Sequence, residues 1–290
     1  MQVWDGRLYA AGCNDVTGLE IWEYDGISWT QVNTDGFGDE NNIKGPSMVV
    51  FQDNLYAGTV NKATGCEVWE YDGSNWTQVN TDGFGTGNGA ALSMAVLGNN
   101  LYVGTVNPAG CEVWEYDGSN WTQVISGGFG DINNTHIFSM ATFNNDLYAG
   151  TNNLITGCEV WQMKGIIPDI KANGSDDPLF ITPSESVDIS ISLDPGDMAG
   201  EWADWWGILL SSYGTFPLFG FQCPLFELPD TSLFSMPWPV GWYIFLFGLD
   251  DVPDGAFELD WYDYVVVVSQ PAGAQLENIP NFDDIVKEKM

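Results

Sequence analysis

Four glutamates recur at one position of this chain: Glu20, Glu67, Glu112 and Glu159 each stand directly before a Val/Ile-Trp pair. Carboxylates repeated around an axis could hold a cation or a polar ligand in a channel. The alternative use is internal, because a buried carboxylate must find hydrogen-bond donors. Repetition favours that use, since a structural role recurs in every copy whereas a catalytic site needs unlike groups.

Two acidic stretches have oxygen-rich spacing that suits a hard cation such as calcium. Asp35, Asp39 and Asn41 lie in a glycine-rich loop, NTDGFGDENN, where Asx-turn chemistry explains the same residues. Related loops replace Asp39 by Thr86 in the second copy and Asp35 by glycine in the third. Asp250, Asp251, Asp254 and Asp260 surround Gly255 in LDDVPDGAFELD, without EF-hand spacing, and a solvated acidic turn is the alternative. Trp202, Trp205 and Trp206, with Trp238 and Trp242, could form a platform on which sugar rings stack. Alternation in WADWW commits at least one of them to the core.

Several catalytic classes lack their residues. A carboxylate with several arginines has only Arg7 to draw on, and a histidine-ligated copper site or a Ser-His-Asp arrangement has only His136. A carboxylate-based glycan hydrolase or lyase needs just two acids, which this chain could supply, although nothing singles out a pair.

The elements that position these residues are repeats. Leu8, Leu55, Leu101 and Leu147 mark four copies at spacings of 47, 46 and 46 residues, each leucine followed by tyrosine. Within one copy, Met48–Phe51, Leu55–Val60, Cys66–Tyr71 and Trp76–Val79 carry strand chemistry, and Asp-Asn, Asn-to-Gly and Asp-Gly signals separate them. Each copy is expected to be a four-stranded antiparallel meander, and a period in this range with strand content points to propeller blades. One meander cannot bury both faces, so neighbours must stack.

The motif resembles the kelch-type β-propeller repeat over residues 1–165. The resemblance rests on Tyr9, Tyr56, Tyr102 and Tyr148, on Tyr24-Asp25, Tyr71-Asp72 and Tyr116-Asp117, and on Trp29, Trp76 and Trp121. Kelch repeats carry a glycine pair after the second strand. Here Ala11-Gly12, Gly58-Thr59, Gly104-Thr105 and Gly150-Thr151 keep one glycine each. The resemblance implies about four blades, the last one incomplete because Pro168 stands where the outer-strand tryptophan belongs. An array left open would expose apolar faces that associate, so a homo-oligomer through open blade edges is expected.

After Gly165 the repeat stops. Strand-like runs at 186–193, 202–211, 240–249 and 257–269, punctuated by Pro, Gly and Asp, suggest an immunoglobulin-like β-sandwich over residues 166–270, followed by a polar tail at 271–290. Cys223 is alone there, so no cystine joins its sheets. Cys66, Cys111 and Cys158 share one repeat position with Leu19, which favours small buried apolar residues over ligands, and Cys13 has no assignable partner.

Composition bounds the rest. Among 290 residues, seven Lys plus Arg face forty acids, for a net charge of −33, a field that repels phosphate backbones and anionic lipid. Nucleic-acid binding and membrane insertion are not expected, and no apolar run approaches membrane-spanning length. No leader-like segment precedes the first repeat, so the array is expected either to begin upstream of Met1 or to be a mature product. Few basic residues, repeated β-structure and 14% aromatic content read as an extracellular or cell-surface protein. The expected function is non-catalytic: adhesion, surface assembly or binding of a glycan, another polar ligand or a second surface protein. The alternatives are the carboxylate enzyme and a subunit that assembles by completing blades between chains.

Overall fold

Runs rich in Val, Ile, Tyr and Trp form strands wherever Asp-Gly, Asn-Gly or Asp-Asn pairs reverse the chain between them. The computed structural model describes residues 1–250 and 261–271. In the first module β1 (Gln2–Trp4), β2 (Arg7–Ala11), β3 (Ile21–Tyr24) and β4 (Trp29–Gln31) pair in sequence order as an antiparallel meander. The second repeats this with β5 (Lys44–Phe51), β6 (Asn54–Val60), β7 (Val68–Tyr71) and β8 (Trp76–Gln78). The third uses β9 (Ala90–Leu97), β10 (Asn100–Val106), β11 (Val113–Tyr116) and β12 (Trp121–Ile125). The fourth has three strands, β13 (His136–Phe143), β14 (Asp146–Asn152) and β15 (Val160–Lys164). At each β3–β4-type hairpin an aspartate holds the turn: Asp72 Oδ1 accepts the backbone N–H groups of Ser74 and Asn75, both at 2.7 Å.

The propeller expectation is not met. The first module is a four-stranded sheet of its own, while the other three run together into one branched eleven-stranded sheet. The joints are single pairings between strand ends, Val60 with Ala90 and Val106 with His136. Neither sheet closes or curls, so the kelch-like arrangement of separate blades around an axis is corrected to an open, irregular array. A period of 46 or 47 residues and a strand count define the meander, but the joint between meanders sets how they follow one another. Here the joint is strand-end pairing plus a loop.

The chain divides into two compact units, Met1–Met163 and Lys164–Met290. In the second unit β16 (Ile167–Ala172), β17 (Leu179–Ile181), β18 (Ser186–Asp194), β19 (Trp202–Ser211), β20 (Gly214–Pro224), β21 (Leu228–Pro237), β22 (Gly241–Asp250) and β23 (Trp261–Ser269) form two irregular sheets. One has the order β16-β18-β21 and the other β17-β23-β22-β19-β20, with β17 parallel to β23. The register slips twice along β18–β21 and once along β19–β20. This irregular pairing replaces the immunoglobulin-like label that the sequence suggested. Ile189, Ile191 and Leu193 of the smaller sheet share one core with Trp205, Phe245, Phe247 and Val267 of the larger.

Candidate functional site

The recurring polar residues of the first unit meet at the joints between modules. Each joint begins with a tight turn in which a glycine and a phenylalanine both take left-handed backbone: Gly36 and Phe37 at φ 56° and 57°, Gly83 and Phe84 at 58° and 57°, Gly128 and Phe129 at 65° and 60°. A left-handed phenylalanine is strained by about 1–2 kcal/mol. The ring compensates by lying on a tryptophan of the next module. Phe37 stacks on Trp69 at 4.3 Å, Phe84 on Trp114 at 4.9 Å and Phe129 on Trp161 at 5.1 Å between centroids, all within 14° of parallel.

A few residues on, an asparagine reaches the repeated glutamate. Asn42 Nδ2 donates to Glu67 Oε2 at 2.7 Å and to Gly36 O at 3.0 Å, and Trp69 Nε1 donates to the same carboxylate oxygen at 2.7 Å. Asn88 and Trp114 hold Glu112 at 2.6 and 2.8 Å, and Asn134 and Trp161 hold Glu159 at 2.7 and 3.0 Å. Glu67 and Glu112 are buried. Burial raises the Glu67 carboxyl above its ordinary value, and the hydrogen bonds from Trp69 and Asn42 oppose the rise.

Glu67, Glu112 and Glu159 therefore serve their own joints. Glu20 has an equivalent tryptophan, Trp22 Nε1 at 3.0 Å, but its asparagine, Asn14 at 3.3 Å, comes from its own module.

Asp39 belongs to the same network. Its Oδ1 accepts from Asn41 N at 2.9 Å and Asn41 Nδ2 at 2.8 Å, and its Oδ2 from Asn61 Nδ2 at 3.0 Å and Thr64 Oγ1 at 3.4 Å. These bonds, the Asn41 backbone N–H foremost, hold its carboxyl below the ordinary value against a smaller effect of burial. Asp35 is engaged by Gln31 Nε2 at 2.6 Å instead. Asp131, Asn133, Asn153 and Thr156 repeat the Asp39 arrangement at the third joint. Among the described residues no three His, Cys, Asp or Glu side chains gather to hold a metal ion.

The middle joint is shorter on both sides. Its loop, up to the bridging asparagine, reads GFGTGN and the turn it meets reads NPAGCE, each one residue shorter than at the first joint, GFGDENN and NKATGCE. Asn107 Nδ2 consequently turns to Glu112 Oε1 at 3.3 Å and Thr86 O at 3.4 Å, and the buried Asn88 Oδ1 has no hydrogen-bond partner among the described residues. Its counterpart Asn42 Oδ1 accepts from Asn61 Nδ2 at 3.2 Å.

The tryptophan platform is not formed as one row. Trp202 is 57% exposed, whereas Trp205 is buried against Phe221, Phe226 and Phe247, and Trp206 lies across Gly220 of the neighbouring strand. Asp250 is buried directly opposite the buried Asp204 in the β19–β22 pairing. Asp251, Asp254 and Asp260 lie outside the described residues. Arg7 pairs with Glu23, and His136 shares a hydrogen bond with Thr135 Oγ1 at 2.8 Å, its imidazole lowered mainly by burial. All five cysteines are free, and burial pushes the Cys66 and Cys111 thiols up to about 12.

Sequence reading missed the asparagines. Asn42, Asn88 and Asn134 end the loops, and Asn61, Asn107 and Asn153 follow the second strands at 46-residue intervals. That periodicity was as regular as the glutamates' own. No family model matches the chain, and no curated protein is similar to it.

Proposed function

We propose that this is a non-catalytic extracellular or cell-surface protein that works by binding, in adhesion, surface assembly or glycan recognition. The observation that carries the reading is the engagement of the repeat's carboxylates. Glu67, Glu112, Glu159, Asp39 and Asp131 each accept bonds from amide, hydroxyl or indole donors of the joints. A general acid or base must instead be free to exchange a proton with substrate.

Large apolar and aromatic side chains are left accessible, among them Trp29, Phe138, Phe143, Trp202, Phe216 and Phe221. Such surfaces suit protein or sugar-ring contacts, and the charge of −33 disfavours phosphate-rich partners. Among the described residues no helix is long and apolar enough to cross a membrane. Calcium enters this reading only through the segment that begins at Asp250, because Asp39 already has donors on both oxygens.

The test is incubation of the whole chain with a panel of polysaccharides, scoring retention and product release separately. Retention without turnover is expected. Product release that disappears on replacing one acid pair overturns the reading.

A further inference from the structure

Every internal joint buries the same two surfaces on each other. On the leading side stand the residues flanking the repeated glutamate, and on the following side stand a methionine of the first strand and, where a fourth strand exists, its tryptophan. Leu19 and Ile21 of the first module pack with Met48 and Trp76 of the second. Cys66 and Val68 pack with Met94 and Trp121, and Cys111 and Val113 with Met140. Each tryptophan also crosses the joint with its indole, Trp76 Nε1 donating to Val32 O at 3.1 Å and Trp121 Nε1 to Val79 O at 2.8 Å. All six leading residues are buried.

The same two surfaces also occur open. In the fourth module Cys158 is exposed and Val160 is 76% exposed, although their equivalents are buried at every other joint. In the first module the following surface is open: Met1 is 86% and Trp29 46% exposed at the positions of Met48 and Trp76. Among the described residues, both halves of an interface made three times internally are thus also found exposed.

We infer that these two faces bind each other between copies, the Cys158–Val160 face of one chain seating on the Met1–Trp29 face of the next. This rests on the binding role proposed above and names the partner as a second copy of this chain. The interface is heterologous: what it joins on one copy differs from what it joins on the other. It therefore propagates head to tail, as an open row or as a ring if the rotation closes. A surface-assembly role follows directly from such growth.

The experiment uses sedimentation velocity on the full chain over a wide concentration range, with Val160→Asp and Trp29→Glu as variants. Both positions are solvent-exposed, and circular dichroism verifies that each variant keeps its strands. Wild type is expected to grow in mass with concentration, and each variant alone to be deficient in growth. An equimolar mixture of the two variants is expected to stop at dimers, because each retains the face the other has lost. Wild type that stays monomeric at every concentration overturns the inference. Association that both variants retain, or a mixture that fails to form dimers while wild type associates, overturns it equally. A monomeric wild type that still binds a polysaccharide or surface partner leaves the binding role standing without self-assembly.

Discussion

Phe37 lies flat on Trp69 across the first joint, ring centroids 4.3 Å apart and planes 7° from parallel, while its own backbone is held at φ 57°. The stack and the strain oppose each other at one residue. Phe37→Ala keeps the strain and loses the stack. Since the ring is only partly buried, a loss of about 2 kcal/mol is expected, below the range for fully buried phenylalanines. Phe37→Gly loses the stack but relieves the left-handed strain, so it is expected to cost about 1 kcal/mol less than the alanine variant. Urea unfolding of the two variants checks the order. A glycine variant no more stable than the alanine one contradicts the account.

Glu67 provides a pH signature. Its folded-state carboxyl titrates above the ordinary value near 4.5, so between that value and the raised one the native state holds more protons than the unfolded chain. Stability from this group is therefore greatest at low pH and is lost as pH rises through the window. Glu67→Gln keeps an oxygen for Asn42 and Trp69 and removes the titration. Relative to wild type, this variant is expected to gain stability as pH rises above about 4.5. Asp39 acts in the opposite sense, since its lowered carboxyl contributes stability that fades as pH falls below 3.8. Chemical unfolding of wild type, Glu67→Gln and Asp39→Asn at several pH values separates the two.

Gly65 meets the next loop backbone to backbone. A Cβ added there would stand 2.5 Å from Gly83 N, and its φ is 114°. Gly65→Ala is expected to destabilise by more than about 2 kcal/mol, combining backbone strain with a clash that no flexible side chain can relieve. Gly85→Ala is the control, with positive φ but nothing within 4 Å of the added Cβ. Thermal melts should show a much larger loss at Gly65.

The shortened middle joint is expected to draw less from its second-strand asparagine. Asn61 accepts from the backbone of Ala63 and Thr64, both at 3.0 Å, and donates to Asp39 and Asn42. Asn107 accepts from Ala109 alone, at 2.9 Å, and its donor contacts are 3.3 and 3.4 Å long. Asn61→Ala is expected to cost about 1–2 kcal/mol more than Asn107→Ala, a difference of one or two hydrogen bonds. Equal losses in urea unfolding would contradict the rewired network.

Local structure was largely legible in the chain. The period marked by Leu8, Leu55, Leu101 and Leu147, the Asp72-Gly73 type of turn and the β-branched runs determined four meanders, because strand propensity and turn chemistry act over a few residues. The recurrence of Cys66, Cys111 and Cys158 at the repeat position of Leu19 marked small buried positions, which holds for Cys66 and Cys111 but not for Cys158, which is exposed. The coupled shortening of GFGTGN and NPAGCE was also present as spacing, although what it meant depended on knowing that those loops touch.

Tertiary structure decided the rest. Whether meanders close around an axis depends on how one follows the next, and single strand-end pairings at Val60–Ala90 and Val106–His136 produce an open sheet that the repeat does not encode locally. The role of Glu67 depended on Asn42, 25 residues earlier, arriving at 2.7 Å. Trp205 and Trp202 look alike as letters in one strand, and only packing against Phe221, Phe226 and Phe247 buried the first and left the second in solvent. Hydrogen-bond partners and burial belong to surfaces that meet in space, so they become definite only once the chain has folded.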